Sequence, residues 1–250
     1  MPTPVPPGFS LGIAEPKDAI AAFRQRKLLE LTFGWEDLWN EEHTRAFTIS
    51  RLAETDLLAF IQAELDKAIA KGTSLADWSE TVQARLEQAG WWGRKEVVET
   101  STGEVLQTVF NPARLELIFE VNVRQAQAAG RWQRIERSKK TLPLVIYRTM
   151  RDERVRKSHA AWDGVVLPVD DPWWDTHFPP CGWRCRCTAY AIDEGGVKEL
   201  SAAGIKIQRK APHVEWVDYI NKRTGESSRV PAGVDPGFGY NPGKFRPQLG

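Results

Sequence analysis

The 250-residue sequence predicts an α+β fold, in which a mainly helical N-terminal region precedes a small α+β module with a long loop and a Cys-x-Cys strand. Before residue 140, apolar residues recur mostly at the spacing of helical turns. After Thr141, short apolar runs typical of buried strands replace that spacing. Four units are therefore predicted: a flexible N-terminal arm over 1–15, a helical region over 16–140, the α+β module over 141–212 and a C-terminal extension or arm over 213–250.

The N-terminal arm contains four prolines and two glycines in residues 1–15, a composition typical of irregular chain. A helix is predicted to begin at Pro16, because proline is favoured in the first helical turn, and to end near Lys27. A longer helix is predicted over 35–71, where apolar residues form one stripe and Gly72 supplies a C-terminal cap.

Two further helices and a hairpin complete the predicted helical region. The first helix has Thr73 or Ser74 as its N-cap and should pack antiparallel to the helix before it. Apolar runs that flank a Gly-containing turn predict a small hairpin near 94–110. A helix over 111–136 follows, since its sequence begins with Asn-Pro and then carries an apolar face.

The α+β module has shorter predicted elements. Residues 168–184 have no hydrophobic period and are rich in proline and glycine, which predicts a long ordered loop. The C-terminal residues 231–250 are also rich in glycine and proline, and we expect a docked arm or partial disorder. Strands are predicted over 142–147, 165–167, 188–192 and 205–207, and helices over 152–161 and 198–203.

Composition limits the function classes. Hydrophobic residues make up 42% of the chain, enough for a sizeable core, and the net charge of +1 gives no overall attraction to nucleic acid or membrane. No apolar run approaches the roughly 18–20 residues that a membrane span needs. The first residues also lack the basic and apolar segments of a secretion signal. We therefore expect a cytoplasmic location and no membrane partner.

A basic stretch lies between residues 130 and 158. It contains ten Lys or Arg residues and three acidic ones, so ten minus three gives about +7. Such a stretch could follow the phosphates of double-stranded DNA, but charge runs are often only solvated helix faces and linkers. The candidate DNA-binding residues are Arg148, Arg151, Arg154, Arg156 and Lys157.

Histidines and cysteines gather in the same part of the chain. If Cys185 and Cys187 alternate on a strand, both thiols face one side and the neighbouring arginines face the other. A tetrahedral structural Zn2+ site could then stabilise the irregular loop, and the alternative is a set of buried free cysteines with hydrogen-bonded histidines. The candidate metal ligands are His159, His177, Cys181, Cys185 and Cys187.

Four aspartates also lie nearby. They could hold Mg2+ in a nuclease-like, metal-dependent enzyme together with His159 and His177, yet their Gly and Pro neighbours are typical of turns. The sequence contains no P-loop, nucleophile elbow or zinc-protease motif. We therefore expect no enzyme activity, no catalytic residue and no small-molecule substrate. The aspartates are Asp163, Asp170, Asp171 and Asp175.

The segment that contains these residues has four distinctive motifs: Asp152-Glu153-Arg154, His159-Ala160-Ala161, Asp163-Gly164 and Pro179–Cys187 (PPCGWRCRC). Through these motifs it resembles the phage Mu F-like minor head proteins. Similar segments elsewhere extend the resemblance over most of the chain, including Phe33–Phe47, Gly90–Gly93, Asn111–Arg131 and Val234–Gly243.

The resemblance implies a role in phage head morphogenesis. Such proteins are present in few copies, associate with the portal protein and the major capsid protein, and in some relatives bind DNA. The expected locations are the host cytoplasm during assembly and then the head interior of the virion. Members of the family often have Asn at the position of Cys181, and others have Cys at the position of His159. Because Cys and His can both bind metal, the Cys at the position of His159 favours a shared metal or packing role for His159, Cys185 and Cys187.

Overall fold

The structure is a computed structural model that describes residues 16–99, 101–222 and 224–244. The predicted flexible arm over 1–15 lies outside the described residues. Within the described ranges, no helix has the length and apolarity required to span a bilayer.

The N-terminal helical region begins with a short helix and two very short strands. Helix α1 (Lys17–Arg24) ends three residues before the predicted Lys27. Strands β1 (Leu28–Leu29) and β2 (Ala46–Phe47) then pair in parallel. Two 3-10 helices connect these strands, over Trp35–Asp37 and Asn40–Thr44.

The predicted single helix over 35–71 is therefore wrong in its first half, and α2 covers only Thr55–Lys71. Asn40 and Arg51 adopt left-handed backbone conformations, with φ of 45° and 60°, which interrupt a right-handed helix. The Asp37 carboxylate also accepts hydrogen bonds from the backbone N–H groups of Phe33 and Gly34. Such local side-chain bonds favour short turns over continuous helix.

The next helix, the hairpin and the long helix agree with the prediction. Their bounds are Leu75–Gln88 for α3, Gly93–Val98 for β3, Val105–Phe110 for β4 and Pro112–Ser138 for α4. Helix α3 is capped by Ser74, whose hydroxyl accepts from the Asp77 N–H. Strands β3 and β4 form the antiparallel hairpin. Asn111 then caps α4 through the Arg114 N–H.

A three-stranded antiparallel sheet forms the centre of the α+β module. Strand β5 (Leu144–Arg148) lies between β6 (Val166–Pro168) and β7 (Thr188–Ile192). Helix α7 (Glu194–Ala202) begins earlier than predicted, because Asp193 caps it through the Gly196 N–H. The long loop before β7 contains one short helix, α6 (Trp174–His177).

Three predictions in this module are wrong. Helix α5 covers only Lys157–Ala161, because Arg151 is left-handed at φ 56° and Asp152 accepts from the Arg154 N–H in a turn. Residues 205–207 are irregular, and Gln208 makes a single parallel bridge with Val165. The Cys-x-Cys segment lies in the loop immediately before β7 rather than on the strand itself.

A second hairpin, which the sequence analysis missed, precedes the C-terminal arm. Strands β8 (Trp216–Ile220) and β9 (Ser227–Pro231) are antiparallel. After β9, the described residues 232–244 lie against both the α+β module and the N-terminal region. Val234 and Phe238 join the core of the module, whereas Tyr240 is buried near Arg26 and Glu41.

The buried apolar residues form two large clusters and a smaller one. The first cluster joins α1, α2, α3 and the β3–β4 hairpin. The second lies under the three-stranded sheet and the long loop. Helix α4 contributes to both, with Leu115 and Ala126 in the first cluster and Ala128, Trp132 and Ile135 in the second.

Candidate functional site

Three of the five predicted metal ligands come together in the α+β module. The His159 Nδ1 atom lies 3.7 Å from the Cys185 Sγ and 3.6 Å from the Cys187 Sγ. The three donor atoms all lie within 4.8 Å of one another. His159 and Cys185 are buried and Cys187 is half-buried, so the donors are shielded but reachable from one side.

Local structure orients these donors. His159 lies on α5 and stacks on Trp162, with ring centroids 4.9 Å apart and an angle of 20° between the planes. Arg184 has a left-handed φ of 56° and turns the chain sharply before the two cysteines. The Cys185 N–H donates to the Gly182 carbonyl at 3.1 Å, and the Arg124 guanidinium donates to the Cys185 carbonyl at 3.3 Å.

The tautomer of His159 follows from its second ring nitrogen. The Nε2 atom lies 2.9 Å from the Gly233 carbonyl oxygen, which can only accept a hydrogen bond. Nε2 must therefore carry the proton, and in the neutral ring Nδ1 presents its lone pair to the two thiols.

The two cysteines shift each other's pKa in opposite directions. The hydrogen bond from Cys187 lowers the pKa of Cys185 despite burial. The same bond and the burial of the site raise the pKa of Cys187. Thiolate is the form of cysteine that binds metal, and the geometry favours loss of the first proton from Cys185.

His177 and Cys181 lie outside this cluster. His177 stacks on Trp173, with centroids 4.6 Å apart, and burial lowers its pKa to about 4. The buried Cys181 thiol donates to the His177 carbonyl at 3.4 Å, and burial raises its pKa. Both side chains contribute to the second core cluster and its aromatic packing.

A cavity of about 540 Å³, called the groove below, opens beside the three donors. Its walls come from α4, the segment before α5 and the loop before β7. Both acidic and basic side chains reach it, together with His159, Cys185 and Cys187: Glu116, Glu120, Arg154, Arg156, Arg184 and Arg186.

The predicted DNA-binding residues have different surroundings. Arg148 and Arg151 both bind the Asp163 carboxylate, at 3.0 and 2.9 Å. Arg156 bridges the Asp235 carboxylate and the Trp183 carbonyl, each at 2.9 Å. The side chains of Arg154 and Lys157 are exposed.

Ion pairs and turns hold the four aspartates apart. Asp163 binds two arginines, while Asp170 pairs with Lys139 and Asp175 pairs with Lys244. Asp171 accepts from the Trp173 N–H in a turn. Across the described ranges, the one set of three or more His, Cys, Asp or Glu side chains within metal-binding reach is His159, Cys185 and Cys187.

Sequence reasoning missed two residues that hold the site. Gly233 supplies the carbonyl that fixes His159, and Asp235 accepts from the Trp183 N–H at 2.8 Å and from Arg156. Both lie in the C-terminal arm. The available signal was the Gly-Val-Asp-Pro-Gly sequence of residues 233–237, whose turn-forming composition marks a specific backbone path.

Comparisons with known proteins agree with the resemblance in the sequence. The chain is 32% identical over 241 residues to "Putative capsid assembly protein F" of Escherichia phage Mu, covering 91% of this chain and 54% of that protein. It is 29% identical over 228 residues to "Mu-like prophage FluMu F protein" of Haemophilus influenzae, covering 86% of this chain and 53% of that protein. The chain thus spans about half the length of these relatives. No solved structure is significantly similar to it.

The profile of the family described as "Phage Mu protein F like protein" matches residues 59–190, which is just over half of the chain. The matched range runs from α2 to β7 and includes all three clustered donors. The predicted family is confirmed: the chain belongs to the phage Mu protein F-like family.

Proposed function

We propose that this chain is a minor component of a phage head that acts in capsid assembly. The observation that carries the proposal is the 32% identity to a protein named for capsid assembly, which extends over 91% of the chain. Similarity over nearly the whole described fold favours a shared role more strongly than a short motif would.

We place this component in the head interior beside the portal, after assembly in the host cytoplasm. Its partners would be the portal protein and the major capsid protein, as the family resemblance implies. A component of this kind needs exposed surface for other proteins, and a few side chains, most often tryptophan, tyrosine and arginine, contribute most of the binding energy at such a surface.

The β8–β9 hairpin supports such contacts. On its inner face, Tyr219 packs against both Trp35 and Trp39 and donates to the Glu36 carboxylate at 2.8 Å. On its outer face, Trp216 and Ile220 are 44% and 61% exposed. An anchored hairpin with an exposed tryptophan is typical of a protein-docking surface.

The experiment measures binding of this chain to purified portal protein and, separately, to purified major capsid protein. We expect the wild-type chain to bind at least one of them and to co-sediment with procapsids. The double substitution Trp216→Ser with Ile220→Ser should weaken that binding. The matched control is Val98→Ser with Val105→Ser, which removes two exposed apolar side chains from the β3–β4 hairpin. Absence of the wild-type chain from procapsids would refute the proposal.

Contact with double-stranded DNA is a second proposed role, favoured by the arginines that converge on the groove. If DNA binds there, affinity should fall steeply with salt, because each neutralised phosphate releases counterion. Arg154→Ala with Arg184→Ala, which removes two exposed arginines that line the groove, should reduce the slope of log affinity against log salt by about 2. Lys71→Ala with Arg94→Ala, a distant pair of exposed basic residues, should leave the slope unchanged. Salt-insensitive binding would contradict this role.

A further inference from the structure

We propose that His159, Cys185 and Cys187 bind one Zn2+ ion, with a fourth coordination position that opens to the groove. This site goes beyond the assembly role and does not depend on it. It also narrows the five ligands predicted from the sequence to three.

The spacing of the donors fits zinc. A tetrahedral Zn2+ has Zn–S bonds of about 2.3 Å and Zn–N bonds of about 2.05 Å, so its sulfur and nitrogen ligands lie about 3.6 Å apart. The two observed separations from His159 Nδ1 to the cysteine Sγ atoms are 3.7 and 3.6 Å. Both nitrogen–sulfur separations therefore match zinc, and the two sulfurs lie within 4.8 Å of each other, where a tetrahedral site has about 3.8 Å.

The partner of His159 provides a second, independent argument. Histidines that bind metal almost always donate their other ring N–H to a carbonyl or carboxylate, which fixes the ring and its tautomer. The Gly233 carbonyl does this at 2.9 Å, and it leaves the Nδ1 lone pair directed at the two sulfurs.

The chemistry of the donors selects the metal. Two thiolates and an imidazole favour zinc over Mg2+ or Ca2+, which prefer oxygen ligands. The four aspartates that could have supplied such oxygens are occupied in ion pairs and turns.

The fourth position follows from the surroundings. His159, Cys185 and Cys187 all line the groove, so the open side of the cluster faces solvent. Three protein ligands with one open position are typical of zinc sites that hold a water or an incoming ligand. In the isolated chain, we expect water there.

Zinc at this position would join two segments with little secondary structure of their own. Helix α5 has five residues, and the loop that carries the cysteines has no regular hydrogen-bonding pattern over 185–187. Metal bonds would link the two segments to each other. The hydrogen bond from His159 to the Gly233 carbonyl would connect both of them to the C-terminal arm.

The first experiment measures metal in the full chain, purified under reducing conditions and reconstituted with zinc. We expect about one zinc per chain. X-ray absorption should show two sulfur ligands at about 2.3 Å and two nitrogen or oxygen ligands at about 2.0–2.1 Å. Three sulfur ligands would place Cys181 in the site and overturn the three-ligand assignment. Absence of stoichiometric zinc from the reduced, folded chain would overturn the proposal.

Substitutions then identify the ligands. Cys185→Ser and Cys187→Ser should each weaken zinc binding by more than about 100-fold, because loss of an outer hydrogen-bond partner alone costs about 10–100-fold. Cys181→Ser is the matched control, since this buried cysteine lies in the same loop but outside the cluster, and it should keep full zinc content.

A spectroscopic measurement on the wild-type chain tests the site even if the cysteine variants do not fold. Wild-type chain reconstituted with Co2+ should show sulfur-to-metal charge-transfer absorption of the strength that two thiolates give. A spectrum without thiolate bands, or zinc loss in Cys181→Ser equal to that in Cys185→Ser, would refute the three-ligand site.

Discussion

At the scale of single residues, Asp163 is the carboxylate with the most complete set of partners near the site. It accepts from the Thr149 N–H at 2.9 Å and from the guanidinium groups of Arg148 and Arg151. Its side chain is 17% exposed, so these bonds are only partly screened by water. They fix the end of β5 and the turn after it to the turn that follows α5, the helix that carries His159.

Asp163→Asn tests this role and its pH dependence. Burial opposes ionisation, but the hydrogen bonds from Thr149 and the two arginines outweigh it and lower the pKa of Asp163 below 3.8. A lowered pKa in the folded state stabilises the fold above the unfolded pKa, and this stabilisation is lost as pH falls through the folded pKa. At neutral pH, the substitution should cost about 1–3 kcal/mol in the free energy of unfolding.

Denaturant unfolding of both proteins between neutral pH and pH 2 checks this expectation. The difference between wild type and Asp163→Asn should shrink as the pH falls below about 4. Asp170→Asn is the control, because Asp170 is 68% exposed and its ion pair with Lys139 is screened. A difference that stays constant with pH would contradict the assignment.

Gly233→Ala tests the backbone that supplies the carbonyl to His159. Gly233 has φ +89°, and a Cβ there would lie 2.8 Å from the Ser158 Cβ and 3.0 Å from the Trp162 ring. We expect a loss of about 1–2 kcal/mol from the left-handed backbone and about 1–3 kcal/mol more from overlap. Thermal unfolding measures the loss.

Gly72→Ala separates the two causes. Gly72 also has a left-handed φ, +70°, but a Cβ there meets nothing within 4 Å. Its substitution should therefore cost only the backbone contribution. Equal losses in Gly72→Ala and Gly233→Ala would show that Gly233 is not tightly packed against α5.

The candidate site could be predicted from sequence only in part. Histidine and cysteine side chains are common metal ligands, so the sequence alone identified His159, Cys185 and Cys187 as candidates. The same rule also included His177 and Cys181, because sequence spacing does not reveal which side chains turn into the aromatic core. The carbonyl of Gly233 has no side-chain signature and lies 74 residues from His159, so no local pattern could connect them.

At the scale of elements, the packing of α1 on α4 depends on Gly130. A Cβ at Gly130 would lie 2.6 Å from the Ala19 nitrogen and 3.0 Å from its Cα, both backbone atoms of α1. The absence of a side chain therefore sets the distance between the two helices. Arg137 of α4 then binds the Asp18 carboxylate of α1 through two hydrogen bonds.

Gly130→Ala should lower the free energy of unfolding. Alanine gains up to about 1 kcal/mol over glycine inside a helix, whereas overlap with a neighbouring backbone costs about 1–3 kcal/mol. The overlap should dominate, because the α1 backbone cannot rotate away as a side chain could. Gly195→Ala in α7 is the control: its Cβ meets only ordinary contacts, so it should be neutral or stabilising. A stabilised Gly130→Ala protein would contradict the packing.

Elements with one strong periodic pattern were predictable, and elements set by local turns were not. Helices α3 and α4 have clear caps and long apolar faces, and the sequence located both. Residues 35–54 carry apolar residues at helix-like spacing, yet the left-handed Asn40 and Arg51 break them into short pieces. The β8–β9 hairpin was not predicted because its strand sequences, WVDYI and SSRVP, do not alternate between apolar and polar residues as a half-buried strand does. In the structure, three of the apolar side chains of β8 are exposed.

At the scale of the whole molecule, the C-terminal arm joins parts that are distant in sequence. The Asp235 N–H donates to the Cys181 carbonyl at 3.0 Å, and the Asn241 amide donates to the Trp174 carbonyl at 3.1 Å. Phe238 packs against Trp183 with ring centroids 5.0 Å apart. The arm therefore covers the long loop that carries the cysteines.

Deletion of residues 232–250 tests whether the arm is part of the folded unit. The deletion leaves β9 intact but removes the Gly233 carbonyl, the Asp235 carboxylate and the buried side chains of Val234, Phe238 and Tyr240. Each large buried side chain contributes about 1.5–3 kcal/mol. Their sum is therefore comparable with the total stability of about 5–15 kcal/mol of a typical domain.

We expect the shortened chain to lose the near-ultraviolet circular dichroism of its packed tryptophans and to bind a hydrophobic dye, while much of its far-ultraviolet helical signal remains. The first core cluster, which α1, α2 and α3 build largely without the arm, explains the retained helix. A chain that ends at Lys244 keeps every contact described for the arm and is the matched control. If the shortened chain instead unfolds cooperatively at the melting temperature of the control, the arm is not part of the folded unit. The rest of the α+β module would then be sufficient to fix the long loop.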